Sequence, residues 1–240
     1  MSPLVILFIV ILIALLLYMT YMYLFSPTSK LTTNAYLGAG PITVQNSYIK
    51  KQEAGTFNYS MWVYVNSWPA SSSKASSYSL VSMQNSNIKY FNMYLNNITG
   101  QPTLNLNINT TAKNVINQKV ITNSFPIQKW CYVVVNVSGS TVDAYLDGKM
   151  VMSYNLGSNY QPPNNQSSDS GVSIIIGDSA TNPDIYLGNV LRNTVFASPQ
   201  EVWNNYSSTT VPTSNGVLPS YNLQFSLFNN GELQNQTNLI

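Results

Sequence analysis

The clearest alternation in the chain runs through TFNYSMWVYV, residues 56–65. Phe57, Tyr59, Met61, Val63 and Val65 share one face, and Asn58, Ser60, Trp62 and Tyr64 share the other. A period of two is that of a β-strand whose side chains point alternately to core and surface. TLNLNI repeats it, with Leu104, Leu106 and Ile108 opposite Asn105, Asn107 and Asn109. So does TVDAYL, with Val142, Ala144 and Leu146 opposite Thr141, Asp143 and Tyr145. Asp147-Gly148 follows and favours a two-residue hairpin turn before KMVMSY. PITVQNSYI, YSLVSM, IKYFNMYL, KVIT, WCYVVVNV, VSIIIG, IYLGNVLRNTVF and YNLQFSLF supply further strands. Many short strands with turn signals between them predict an antiparallel sandwich or barrel. One short helix is signalled at Ser198-Pro199-Gln200-Glu201, with Ser198 as N-cap, proline at the first position and glutamate closing a capping box.

One segment breaks the β pattern. Leu4 to Phe25 reads LVILFIVILIALLLYMTYMYLF, 22 residues without a charge. At about 1.5 Å per residue such a helix matches a hydrocarbon core of roughly 30 Å. Tyr18, Tyr21 and Tyr23 fall where an interfacial aromatic belt belongs. No basic region precedes the run and no small-residue cleavage site closes it, so a retained single-pass anchor is expected rather than a signal peptide. Lys30, Lys50 and Lys51 follow it and favour the cytoplasmic side for the larger part of the chain.

Composition narrows the function. Only 8% of residues are charged and the net charge is +2, against about 25% charged in ordinary soluble domains. Without a basic block, nucleic acid is not an expected partner. The chain has no histidine and one cysteine, Cys131. That removes a Ser-His-Asp triad, a Cys-His pair, histidine- or thiolate-bound zinc and any internal disulfide. Cys131 lies in a strand pattern and reads as a buried, inert thiol.

Taken in order, FNYSMWVYV, KVITNSFPIQKWCYVVVNVSGSTVDAYLDGKMV, VSIIIGD and IYLGNVLRNTVFASPQEVW resemble the laminin-G-like and pentraxin-like members of the concanavalin A-like lectin/glucanase superfamily. Trp130 matches the tryptophan that opens a central strand. Tyr145, Asp147, Gly148 and Lys149 match the hairpin that follows, and Gly177 and 198–206 match the late strand and short helix. The resemblance implies an all-β, two-sheet antiparallel jelly roll over 42–206, with Trp130 contributing to the core. The expected order is therefore an anchor over 1–26, a linker over 27–41, the sandwich over 42–206, and a C-terminal extension over 207–240 with an added strand.

Glucanases of that superfamily need paired carboxylates facing across the scissile bond. The only glutamates here are Glu53, Glu201 and Glu232, none at strand spacing from an aspartate, so an enzyme is not expected. The resemblance also implies calcium at the rim, for which Asp169, Asp178 and Asp184 are the candidates. Solvent-facing loop carboxylates are the simpler reading of those three, and no cofactor is expected. For a ligand, Trp62, Tyr64, Trp68 and Tyr94 are the candidate aromatics. Seven Asn-x-Ser/Thr sequons occur, at Asn58, Asn97, Asn109, Asn136, Asn165, Asn205 and Asn235. With 31 asparagines and 48 Ser plus Thr, chance alone gives roughly six.

Two roles fit. One is a non-enzymatic structural protein tethering a lipid membrane to a protein shell. In composition and arrangement the chain resembles membrane-associated minor capsid proteins of large icosahedral DNA viruses with an internal membrane, which implies a virion location and capsid partners. The other is a membrane-anchored, glycan-binding or adhesive lectin-like domain.

Overall fold

The computed structural model describes residues 3–24, 28–45, 55–68, 76–85, 88–97, 100–111, 116–163, 172–178, 184–209, 211–212, 223–229 and 232–239. The N-terminal run forms one helix, α1 (Pro3–Leu24), of 22 residues. Its described side chains are exposed, among them Leu7, Phe8 and Leu17. They are described without a break only from Val5 to Tyr21. Among the described residues no helix is long and apolar enough to cross a membrane. The expectation over 4–25 is thus met as a helix and not as a demonstrated span.

Two six-stranded antiparallel sheets form the sandwich. The strands are β1 (Thr28–Tyr36), β2 (Ile42–Gln45), β3 (Thr56–Val65), β4 (Ser76–Gln84), β5 (Lys89–Asn97), β6 (Pro102–Asn109), β7 (Ile116–Thr122), β8 (Trp130–Ser138), β9 (Thr141–Leu146), β10 (Lys149–Asn155), β11 (Ser173–Ile176) and β12 (Ile185–Asn193). The first sheet has the order β1-β12-β3-β8-β9-β10 and the second β2-β11-β4-β5-β6-β7. The expected linker therefore contains structure: β1 pairs with β12 as an edge strand, and a 3-10 turn follows at Leu37–Ala39. In the extension, β13 (Leu223–Asn229) pairs with a second strand, β14 (Glu232–Leu239), in a sheet of their own.

The alternations behave as their period requires. Phe57, Tyr59, Met61, Val63 and Val65 are buried between the sheets with Leu104, Leu106, Ile108, Val142 and Ala144. Cys131, Val133, Val135 and Val137 join them from β8. Trp130, one residue out of phase with that set, falls on the outer face of the first sheet and is half-buried. The expected core tryptophan is thus an outer-face residue, because the strand's parity assigns it there.

A charge lies between the sheets. Arg192 is 1% exposed, and its guanidinium sits 5.9 Å from the Phe57 ring centre. A bulge puts it there. Asn189 adopts φ 48 and the β12–β3 register shifts between Gly188 and Leu191, so Leu187 and then Val190 and Arg192 point inward. Burial pushes the adjacent Tyr59 phenol up to about 12 against the opposing pull of Arg192. Cys131 is buried, and loss of hydration, then the Asp147 carboxylate, push its thiol up to about 12.

The β9–β10 hairpin turns at Asp147 (φ 48) and Gly148 (φ 78), with Leu146 opposite Lys149. Asp147 does more than turn. Its Oδ1 accepts from the Tyr132 N–H at 2.9 Å, and Oδ2 accepts from Lys129 Nζ at 3.0 Å. Helix α2 (Pro199–Ser208) starts at the expected capping box, with both reciprocal bonds present. It seats on the hairpin: a Cβ at Gly148 would stand 2.8 Å from Trp203 Cε3.

The path into α2 is fixed by two asparagines. Asn58 and Asn136 sit directly opposite each other on β3 and β8. Asn58 Nδ2 donates to the Val195 carbonyl at 2.8 Å. Asn136 Nδ2 donates to the Ala197 carbonyl at 2.8 Å, and its Oδ1 accepts from the Ala197 N–H at 3.3 Å. Both are buried, at 1% and 0% exposure, so these two sequons cannot carry a glycan in the folded domain. Asn109 is also buried, while Asn205 is exposed on α2. Asn165 and the side chains of Asn97 and Asn235 lie outside the described residues.

Three outcomes are expected. Phe57→Ala should destabilise the fold by about 3–5 kcal/mol, and Trp130→Ala by under about 2 kcal/mol, measured by urea denaturation. Asn136→Ala should cost about 1–3 kcal/mol and loosen α2, read as loss of near-ultraviolet dichroism. Stability should hold up to about pH 9 and fall from there to about pH 12. Folded Cys131 and Tyr59 keep their protons to about 12, whereas the unfolded thiol and phenol ionise first, at their ordinary values of 9.0 and 10.0; stability is lost while the folded state holds more protons.

Candidate functional site

The outer face of the first sheet is mostly covered. Trp62 is 3% exposed and packs with Tyr132, Val134, Tyr145 and Val202 in a small second core beneath α2. Its ring centre lies 5.2 Å from Tyr132 and 5.8 Å from Tyr206. Beyond α2, a Cβ at Gly188 would collide with the Pro212 ring, so the chain after the helix lies directly on β12.

One end of that face carries a row of aromatics. Tyr36 pairs with Tyr186, Tyr186 with Tyr64, and Tyr64 with Trp130, each directly opposite the next across β1, β12, β3 and β8. Tyr36 and Tyr186 stack with ring centres 4.7 Å apart. Tyr186 and Tyr64 meet edge-on at 6.3 Å, and Tyr64 and Trp130 lie 5.3 Å apart. Such cross-strand pairs stabilise a sheet, but these rings also reach solvent. Tyr36 is 43% exposed, and the other three are half-buried. The Tyr186 phenol is held above its ordinary range, first by lost hydration and then by the Asp184 carboxylate.

Asp184 lies beside this row. Its Oδ2 accepts from Asn66 Nδ2 at 2.6 Å and from Ser67 Oγ at 3.0 Å. Both bonds fall on the one oxygen, Oδ2. Asp178 follows β11 at the same end of the sandwich, and Asp169 lies outside the described residues. Among the described residues no three His, Cys, Asp or Glu gather as a metal site requires.

The four aromatics expected to bind a ligand are not brought together. Trp62 is buried under α2, while Tyr64 belongs to the row. Trp68 is half-buried against the main core, 5.2 Å from Tyr78. Tyr94 is on the outer face of the second sheet, where it accepts from Gln118 Nε2 at 2.9 Å and donates to Asn107 Oδ1 at 3.4 Å. Nearby, Ser79 Oγ donates to Asn92 Oδ1 at 2.8 Å. These uncharged groups bond to one another; Tyr94, Ser79 and Asn92 are buried, Asn107 is half-buried and Gln118 is exposed. Sequence reasoning missed Tyr36 and Tyr186, and placed Trp130 in the core. Tyr64 was the visible member; the row exists only through strand pairing.

The comparisons agree with this architecture. No curated protein sequence matches the chain. The structure is similar to the binding domain of Paraclostridial Mosquitocidal Protein 1, at 16% identity and a TM-score of 0.51, over 70% of this chain and 41% of that one. It is similar to the receptor binding domain of botulinum neurotoxin D, at 12% identity and 0.51, over 72% and 43%. It also resembles the receptor binding domain of botulinum neurotoxin mosaic serotype C/D, at 12% identity and 0.53, over 73% and 42%. The chain thus spans less than half the length of these proteins, and the likeness is one of fold. A laminin-G family model, described as concanavalin A-like lectin/glucanases superfamily, matches residues 37–199. With two six-stranded sheets and that match over most of its length, the chain belongs to the concanavalin A-like lectin/glucanase superfamily.

Proposed function

We propose that the protein is a non-enzymatic tether, anchored in a lipid membrane by α1 and gripping a protein layer with the aromatic row at the far end of its sandwich. The observation that supports this is the separation of the two apolar features along one strand. Only residues 25–27 stand between α1 and β1, and Tyr36 is the last residue of β1. The nine residues of β1 extend roughly 26 Å at about 3.3 Å per step. The strand acts as a strut, with the apolar helix at one end and the exposed rings at the other.

The anchor rests on α1. Its 22 uncharged residues give roughly 33 Å of helix, close to the thickness of a hydrocarbon core of about 30 Å. Exposed apolar side chains along its length have no favourable environment in water. A virion with an internal membrane beneath a capsid shell is a setting that demands such a tether.

The ring geometry favours a protein over a sugar. Sugar stacking needs an open aromatic face. Here Tyr36 is held between Tyr186 and Gly38, where an added Cβ would strike its ring. The row offers edges and hydroxyls, which suit the broad, neutral contacts of a protein interface. The lectin-like alternative draws on the superfamily and on the polar face around Tyr94, but those groups are already bonded to one another.

Replacing Tyr64 and Tyr186 together by alanine in the full chain should abolish its cross-links to the shell protein in intact particles or cells. The thermal midpoint should stay within a few degrees. Sugar binding on a glycan array that disappears in the same variant would replace the tether with the lectin.

A further inference from the structure

The strand directions divide the connections of the sandwich between two ends. The segment at Tyr160 and Gln161 bonds both to Gly139 after β8 and to Asn109 at the end of β6, which brings those two strand ends together across the sheets; β1, β3, β5, β7, β9 and β11 start at the end where Thr28 lies, and β2, β4, β6, β8, β10 and β12 finish there. Four Cα steps separate Leu24 from Thr28, which limits their separation to about 15 Å. If α1 is in the bilayer, this end cannot leave the membrane surface.

Its composition fits that position. Thr28 pairs with Asn193, and the chain leaving β12 there carries Val195 and Phe196, 50% and 38% exposed. Their backbone is not free to fold them away, because Asn58 and Asn136 hold the flanking carbonyls to the sheet. Two lysines are exposed at the same end, Lys30 near the start of β1 and Lys89 at the start of β5. The described aspartates Asp147, Asp178 and Asp184 lie at the opposite end and Asp143, nearer this one, is buried; Glu201, exposed in the first turn of α2, has its carboxylate turned back to accept from the Ser198 N–H. Apolar side chains flanked by cations are the pattern of a surface resting on anionic headgroups.

We infer that this end of the sandwich is a lipid-contact surface, with Val195 and Phe196 entering the headgroup region of an anionic bilayer and Lys30 and Lys89 facing its phosphates. The inference rests on α1 being the anchor, and it adds an orientation: the domain stands on the membrane with its aromatic row turned away. The Val195–Phe196 pair is a second attachment point that restricts rotation about the short link after α1.

The test uses the full chain in phosphatidylcholine–phosphatidylserine vesicles. Nitroxide labels are attached at Phe196→Cys, at Val195→Cys as a second position, at Ile127→Cys on the opposite end, and at Leu12→Cys within α1. Cys131 is buried with its thiol pushed up to about 12 and does not compete for label. Collision with oxygen and with a water-soluble nickel chelate is read for each label. Labels at 195 and 196 should lose collisions with the chelate relative to the label at 127, and the protection should weaken in Lys30→Gln/Lys89→Gln. Labels at 195 and 196 as open to the chelate as that at 127, with 12 protected in lipid, would overturn the contact and leave the anchor standing. A label at 12 open to the chelate would remove the anchor and the contact together.

Discussion

Two asparagine side chains decide what the first sheet can offer. Asn58 and Asn136 lie opposite each other on neighbouring strands and take up the carbonyls of Val195 and Ala197. A connection crossing a sheet has polar backbone groups that must be satisfied once water is excluded. Here the sheet itself satisfies them. The crossing chain is thereby delivered to Ser198, where the capping box starts α2, and α2 closes over Trp62, Tyr132 and Tyr145. Beyond that cover, Tyr36, Tyr186, Tyr64 and Trp130 still reach solvent at the end of the same face. A polar rung at one end of a sheet therefore sets the apolar surface at the other.

Much of this fold is legible in the sequence because its physics is local. The period of two assigns the inner faces of β3, β6 and β9, and Asp147-Gly148 marks the hairpin. The capping box places α2. What escapes is whatever depends on pairing between distant strands. Tyr36 and Tyr186 are separated by most of the sandwich, and nothing near either residue announces their stacking. Trp130 looks like a core residue from its type, yet the parity of β8, fixed by Cys131 and the valines, turns it outward. β1 has no clean alternation because an edge strand with one exposed side is not required to keep one. Arg192 is hidden for a similar reason: a single bulge at Asn189 reverses the faces of everything after it.

The sequons show the same limit from another side. Asn58 and Asn136 carry the local pattern of glycan acceptors, and the fold uses both as buried hydrogen-bonding groups. The candidate ligand aromatics divide in the same way. Trp62 became part of a covered core, Tyr94 part of a polar face bonded within itself, and Tyr64 alone remained at a surface with partners. Residue type suggests chemistry, but burial and prior hydrogen bonds decide whether that chemistry is still available.

The position of β1 has a mechanical consequence. A load applied at Thr28 and resisted on the neighbouring strand, at Tyr186 of β12, would act along β1, while the hydrogen bonds joining β1 to β12 run across it. The seven pairings of that ladder then share the load and must slip together, in shear. The same strand pulled sideways from its tip would release its bonds one after another. The edge strand next to α1 is thus stronger against a pull along its axis than against one across it.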